Sequence, residues 1–159
     1  MLAVSGPCIS INGVLKWSTM TAARYVLLAL FLLLSPILSI ASETQLFDGK
    51  WLTTVSCPNF RDALGFSYQF VSTVKDGVFH GLHGTDGEPG YLQIDGTIAV
   101  DGNASLYAKG RTGSKEYVPG RDTPKGTAYG YNIDAHFDGS TGTGTRVEGR
   151  PCSLKFAKQ

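Results

Sequence analysis

From residue 49 onward the chain is written in short apolar/polar alternations separated by glycine-containing breaks, with no sustained helical period. A period of two sends successive side chains to opposite faces of an extended strand. Eight such runs are predicted, at 49–57, 66–75, 78–84, 91–100, 104–111, 127–137, 143–149 and 152–158. The breaks carry the chemistry that tight reversals need. Asp76-Gly77 supplies the two positive φ values of a type I′ hairpin, and Asp101-Gly102-Asn103 and Asp138-Gly139-Ser140-Thr141-Gly142 mark two more turns. Twenty glycines in 159 residues fit this pattern, whereas a charged share of only 17% excludes a disordered polyelectrolyte or a long coiled coil.

Alternation assigns faces. Phe66, Tyr68, Phe70, Ser72 and Val74 share one side of their strand; so do Leu92, Ile94, Ile98 and Val100, and again Tyr129, Tyr131, Ile133, Ala135 and Phe137. One apolar face per strand suits an antiparallel sheet that closes on itself or packs on a second sheet. The cysteines bear on that choice, because Cys57 ends the first run and Cys152 begins the last. Pairing them antiparallel sets Val55 opposite Leu154, Thr53 opposite Phe156 and Trp51 opposite Lys158, all on the inward parity. A sandwich can also bring two edge strands together. The register favours an all-β, eight-stranded antiparallel up-and-down barrel closed by pairing of strands 1 and 8.

The N-terminal region has a different character. Tyr25 to Ile40 is an apolar run of 16 residues, preceded by Arg24 and followed by Ser39-Ile40-Ala41. A basic lead, an apolar core and small residues before the cut describe a secretory signal peptide over 1–41, cleaved after Ala41. Met20 is then a natural start, with residues 1–19 an extension ahead of it. A retained anchor is the competing reading, but spanning a bilayer takes about 20 apolar residues. The expected mature domain is 42–159, with no membrane span. Lys16 and Arg24 leave with the leader, so 12 of the 14 basic residues face all 13 acids at a formal charge of −1. That balance gives no electrostatic case for nucleic acid. Cys8 also leaves, and an even pair in an exported domain reads as a Cys57–Cys152 disulfide. Export to a bacterial periplasm or to the extracellular space is expected.

The connections between runs are unequal. Those at 76–77, 101–103 and 138–142 are short, while 58–65, 84–90 and 111–126 are long and lie at the opposite end, with a tight 149–151 turn. A cup with one mouth follows, and small barrels hold ligands at such mouths. Tyr68, Tyr129 and Tyr131 point inward near it. His83 does too, whereas His80 and His136 face outward, so the three histidines do not converge on a metal. The Gly139–Gly144 run lacks the strand-to-helix context of a phosphate loop, and Thr85–Gly90 lacks the ligand spacing of a calcium loop. No cofactor is expected. No Gly-x-Ser-x-Gly occurs and both mature cysteines are engaged, so no nucleophile arrangement is present.

Gly49-Lys50-Trp51 opening the first strand, with Lys158 beside Trp51 from the last, is similar to the calycin arrangement of lipocalins and avidins. That resemblance implies that Trp51 closes one barrel end under the basic side chain of Lys158. It does not carry over biotin binding, because avidins use several inward tryptophans and Trp51 is the only one left after cleavage. Phe47-Asp-Gly-Lys-Trp51, Cys57-Pro58, His83-Gly-Thr-Asp-Gly-Glu-Pro-Gly90, Gly142-Thr-Gly-Thr-Arg146 and Gly149-Arg-Pro-Cys152 also resemble a bacterial β-barrel module found behind signal peptides, which brings no established activity. The resulting expectation is an exported, non-enzymatic barrel that binds a small or extended ligand at its open end, with Tyr68, His83, Tyr129 and Tyr131 as candidate contacts. The alternative is an envelope interaction protein, inhibitor-like, acting through loops 58–65, 84–90 and 111–126.

Overall fold

The computed structural model describes residues 46–120 and 122–159; the leader reading of 1–41 and Arg121 of the long loop lie outside them. Eight strands follow one another: β1 (Gly49–Cys57), β2 (Phe66–Lys75), β3 (Val78–His83), β4 (Leu92–Ile98), β5 (Asn103–Arg111), β6 (Ala128–Asp138), β7 (Thr141–Arg146) and β8 (Ser153–Lys158). Each pairs antiparallel with the next, and β8 returns to β1, giving a closed up-and-down barrel. The closing register is the one the sequence predicts: Trp51 opposite Lys158, Thr53 opposite Phe156, Val55 opposite Leu154. Closure leaves no unpaired sheet edge.

Local chemistry explains the β2–β3 hairpin. Asp76 and Gly77 adopt φ of 52° and 74°. Both backbone amides of that turn donate to the Asp48 carboxylate, at 3.0 and 3.3 Å. A residue just ahead of β1 thereby ties down the neighbouring turn.

Inward residues at the short-turn end form an aromatic floor. Phe137 lies at the centre, 5.1 Å from Trp51 and 4.8 Å from Phe156 between ring centroids, with Phe79 and Phe47 at 6.1 and 6.0 Å. Trp51 is fully buried and its indole N–H donates to the Phe47 carbonyl at 2.8 Å, so its one polar atom is satisfied. Room for these rings comes from β7. A Cβ at Gly142 would stand 3.0 Å from Phe137 Cδ1.

One polar pair sits within this apolar interior. Thr53 Oγ1 and Ser72 Oγ lie 2.5 Å apart, both residues fully buried across the β1–β2 ladder. Thr53→Val is expected to cost about 1–3 kcal/mol, because it leaves the Ser72 hydroxyl buried without its partner. Adding Ser72→Ala should recover much of that loss. Urea unfolding of the two single variants and the double variant measures the cycle, and strict additivity would contradict the pairing.

Several boundaries differ from the sequence expectation. β4 ends at Ile98, so Val100, assigned inward, is exposed in the turn. The reversal begins early because Ala99 N–H donates to the Asn103 carbonyl and Gly102 N–H to that of Ala99. Asp138–Gly142 is not a five-residue loop but a two-residue hairpin at Gly139-Ser140, which starts β7 at Thr141 and ends it at Arg146. The expected 149–151 turn is accordingly longer, running from 147 to 152.

Candidate ligand cavity

Above the floor the inward positions change from packed core to an open lining. β2 contributes Phe66 and Tyr68, β3 contributes His83, and β6 contributes Tyr129 and Tyr131, each placed there by strand parity. They surround a cavity of about 520 Å³ at the long-loop end. That is the size of an ordinary small-molecule site, about 300–1,000 Å³. Tyr68 stacks on His83 with centroids 4.3 Å apart, and on the other wall Tyr129 and Tyr131 lie parallel within 7° at 6.1 Å. All four residues singled out in the sequence therefore border one space.

The tyrosine hydroxyls distinguish this lining from a filled core. Their rings are largely covered, but the hydroxyls are not sealed in the interior and open onto the cavity. Among the described residues, no hydrogen bond joins the hydroxyl of Tyr68, Tyr129 or Tyr131 to another group, and all three line the cavity. Burial pushes the Tyr68 phenol well above its ordinary range, with the Tyr129 and Tyr131 phenols adding to the effect. Burial also raises Tyr131 and Tyr129, against a partial counter-pull from Arg146. The three remain neutral O–H donors across the physiological range.

Loops roof the cavity, and Arg150 fastens them. Its guanidinium is buried and donates to the carbonyls of Pro58, Leu64 and Tyr117, tying the β1–β2 and β5–β6 connections to its own β7–β8 loop. Burial, then the neighbouring Arg146, lowers its hold on its proton. The long β5–β6 connection is not without structure: Arg111 ends β5, as the 104–111 run predicts, and a 3-10 turn forms at Lys115–Tyr117. Thr112 closes the neck of the loop, accepting from Thr127 N–H and donating to the Pro124 carbonyl through its hydroxyl. Leu64 N–H donates to the Glu116 carbonyl at 2.8 Å, docking one long loop on the other. Arg150→Leu should cost about 2–3 kcal/mol, in line with hydrogen bonds to a charged group. It should also expose 58–65 and 112–120 to limited proteolysis; unchanged cleavage in both segments would show that the staple does not hold them.

Arg146 is the lining residue that the sequence reading did not single out. It ends β7 on the inward parity of Gly142 and Gly144, which is the signal that marks it. Its backbone N–H donates to the Cys152 carbonyl at 3.0 Å, beside the disulfide. The guanidinium carbon lies 4.1 Å from the centre of the Tyr131 ring. On another side, a Cβ at Gly149 would come within 3.2 Å of Nη2. Among the described residues, Arg146 Nε is the only buried side-chain polar atom without a hydrogen-bond partner.

The remaining predicted residues fall elsewhere. Cys57 and Cys152 form a disulfide at the cavity wall, spanning 95 residues. Trp51 and Lys158 lie at the opposite end, where Lys158 Nζ stands 5.8 Å from the Trp51 ring and donates to the Leu46 carbonyl at 3.1 Å. Lys158 is exposed, so its position at the strand end overrides the inward parity assigned to it. His80 pairs with Asp95 at 2.6 Å on the outer face, and His136 meets Asn103 at 3.1 Å. No group of three or more His, Cys, Asp or Glu that could hold a metal occurs among the described residues. The chain matches no family model, no curated protein and no solved structure in comparisons with known proteins.

Proposed function

We propose that this domain is an exported, non-enzymatic carrier or sensor barrel, calycin-like in design, that takes a small organic ligand into the cavity at its open end. The observation that carries the reading is a cavity of about 520 Å³ over a solid aromatic floor, lined by three tyrosine hydroxyls that have no partner among the described residues. Unspent donors facing a space of that size favour a guest over simple core packing. The lining sets no carboxylate beside His83, and its cysteines are joined in the disulfide, which favours binding over catalysis. The disulfide and the leader-like N-terminal sequence support export. Among the described residues, no helix is long and apolar enough to cross a membrane.

Native mass spectrometry of the exported protein, prepared from the envelope of a bacterium expressing it, tests the reading. The expected result is a non-covalent adduct of a few hundred daltons that disappears on denaturation and diminishes with Tyr68→Trp, which fills the cavity. Bare protein throughout, together with no thermal stabilisation by a diverse small-molecule collection, would overturn it.

A further inference from the structure

The cavity is one-sided in its chemistry. Its lining carries Arg61, Arg111, Arg146 and Arg150, together with His83, and no aspartate or glutamate. Most of these cations are already occupied. Arg150 is spent on three backbone carbonyls, Arg111 donates to the Gly126 carbonyl at 2.9 Å, and Arg61 is exposed, its guanidinium 5.2 Å from the centre of the Phe60 ring. Arg146 differs. It is half-buried, with Nε sealed off and with no ion pair and no side-chain hydrogen bond at either terminal nitrogen among the described residues. Arg146 contributes slightly to holding Glu148 in its charged form, but that carboxylate accepts from the side chain and backbone of Asn132 and lies outside the lining.

A half-buried guanidinium with unsatisfied donors is costly unless something supplies acceptors. The Tyr131 ring and the Gly149 backbone flank this one, which limits its freedom to turn away. Four neutral or cationic donors, from Arg146 and the three tyrosines, thus line a space that contributes no acidic acceptor.

Resting on the reading that the cavity takes a ligand, we infer that the ligand is an amphipathic organic anion, with an oxyanion head held by the Arg146 guanidinium and the tyrosine hydroxyls and an apolar body against the aromatic walls. Carboxylate and phosphate heads share this chemistry, because the planar fork of arginine fits both.

The test uses three probes with the same apolar body: 2-naphthoate, 2-naphthyl phosphate and neutral 2-naphthalenemethanol, titrated calorimetrically into the disulfide-intact protein. At least one anion should bind about tenfold or more tightly than the alcohol, as a charge-assisted hydrogen bond predicts. The anion that wins identifies the head group. Arg146→Gln should erase the advantage while leaving the alcohol's affinity within about twofold, and Arg146→Lys should restore part of it. Equal affinities for all three probes, or an anion preference untouched by Arg146→Gln in a variant whose melting curve stays cooperative, would overturn the inference and leave a ligand cavity standing. Binding of none of the three would overturn the inference; were the native adduct still observed, the cavity reading would survive it. Should Arg146→Gln fail to fold, loss of the anion preference with the Tyr68→Phe and Tyr131→Phe double variant supports the inference, and its retention overturns it.

Discussion

Replacing Cys57 and Cys152 together with alanine is expected to lower the unfolding free energy by about 4–5 kcal/mol on the loop-closure argument, given their sequence separation of 95. The bond links the top of β1 to the residue before β8, so it spans the seam at which the ring closes. Every other seam joins strands adjacent in sequence. The β1–β8 seam must be found across nearly the whole domain, which is the slowest kind of contact to form. Refolding of the double variant should therefore slow as its stability falls. Guanidinium unfolding and stopped-flow refolding, with the wild-type protein under oxidising conditions as reference, measure both effects. A loss below about 1 kcal/mol would mean that the reduced chain already holds its ends together.

Phe137→Ala should be comparably damaging, at about 3–5 kcal/mol, the usual range for truncating a buried phenylalanine. Phe137 is 1% exposed and contacts four aromatic neighbours drawn from β1, β3, β8 and the segment ahead of β1. Little can collapse into the space, since its cross-strand neighbour on β7 is Gly142, which has no side chain to move in. Phe137→Leu, which keeps most of the volume, should cost about half as much or less. Thermal unfolding by circular dichroism ranks the pair. By contrast, Tyr129→Phe removes only a hydroxyl facing the cavity and should shift stability by less than about 1 kcal/mol. Equal losses at the two ends of the barrel would contradict the division between solid floor and open mouth.

The barrel was legible because period-two alternation and hairpin chemistry are local signals, and because two cysteines fixed the one long-range register. Asp76-Gly77 specifies its turn without help from the rest of the fold. Boundaries at the ends of β4 and β7 were not legible in that way. Val100 continues the alternation, and only the backbone bonds between Ala99 and Asn103 remove it from the strand. The aromatic residues of the cavity followed from parity. The arginines did not, because a charged side chain on an inward position reads as a strand end, and Arg150 lies in a loop where parity has no meaning. What Arg150 does depends on three carbonyls from two distant loops, information that no local pattern carries.

The two ends of the domain run side by side at the floor: Trp51 pairs with Lys158, and Gln159 N–H donates to the Lys50 carbonyl at 2.9 Å. A few glycines and serines would splice them, and the chain could then be reopened at the exposed Gly139-Ser140 reversal to give a circular permutant with every ladder retained. By the same geometry, a fluorescent reporter or a surface tether attached after Gln159 would leave from the blind end, and the aperture would stay unobstructed.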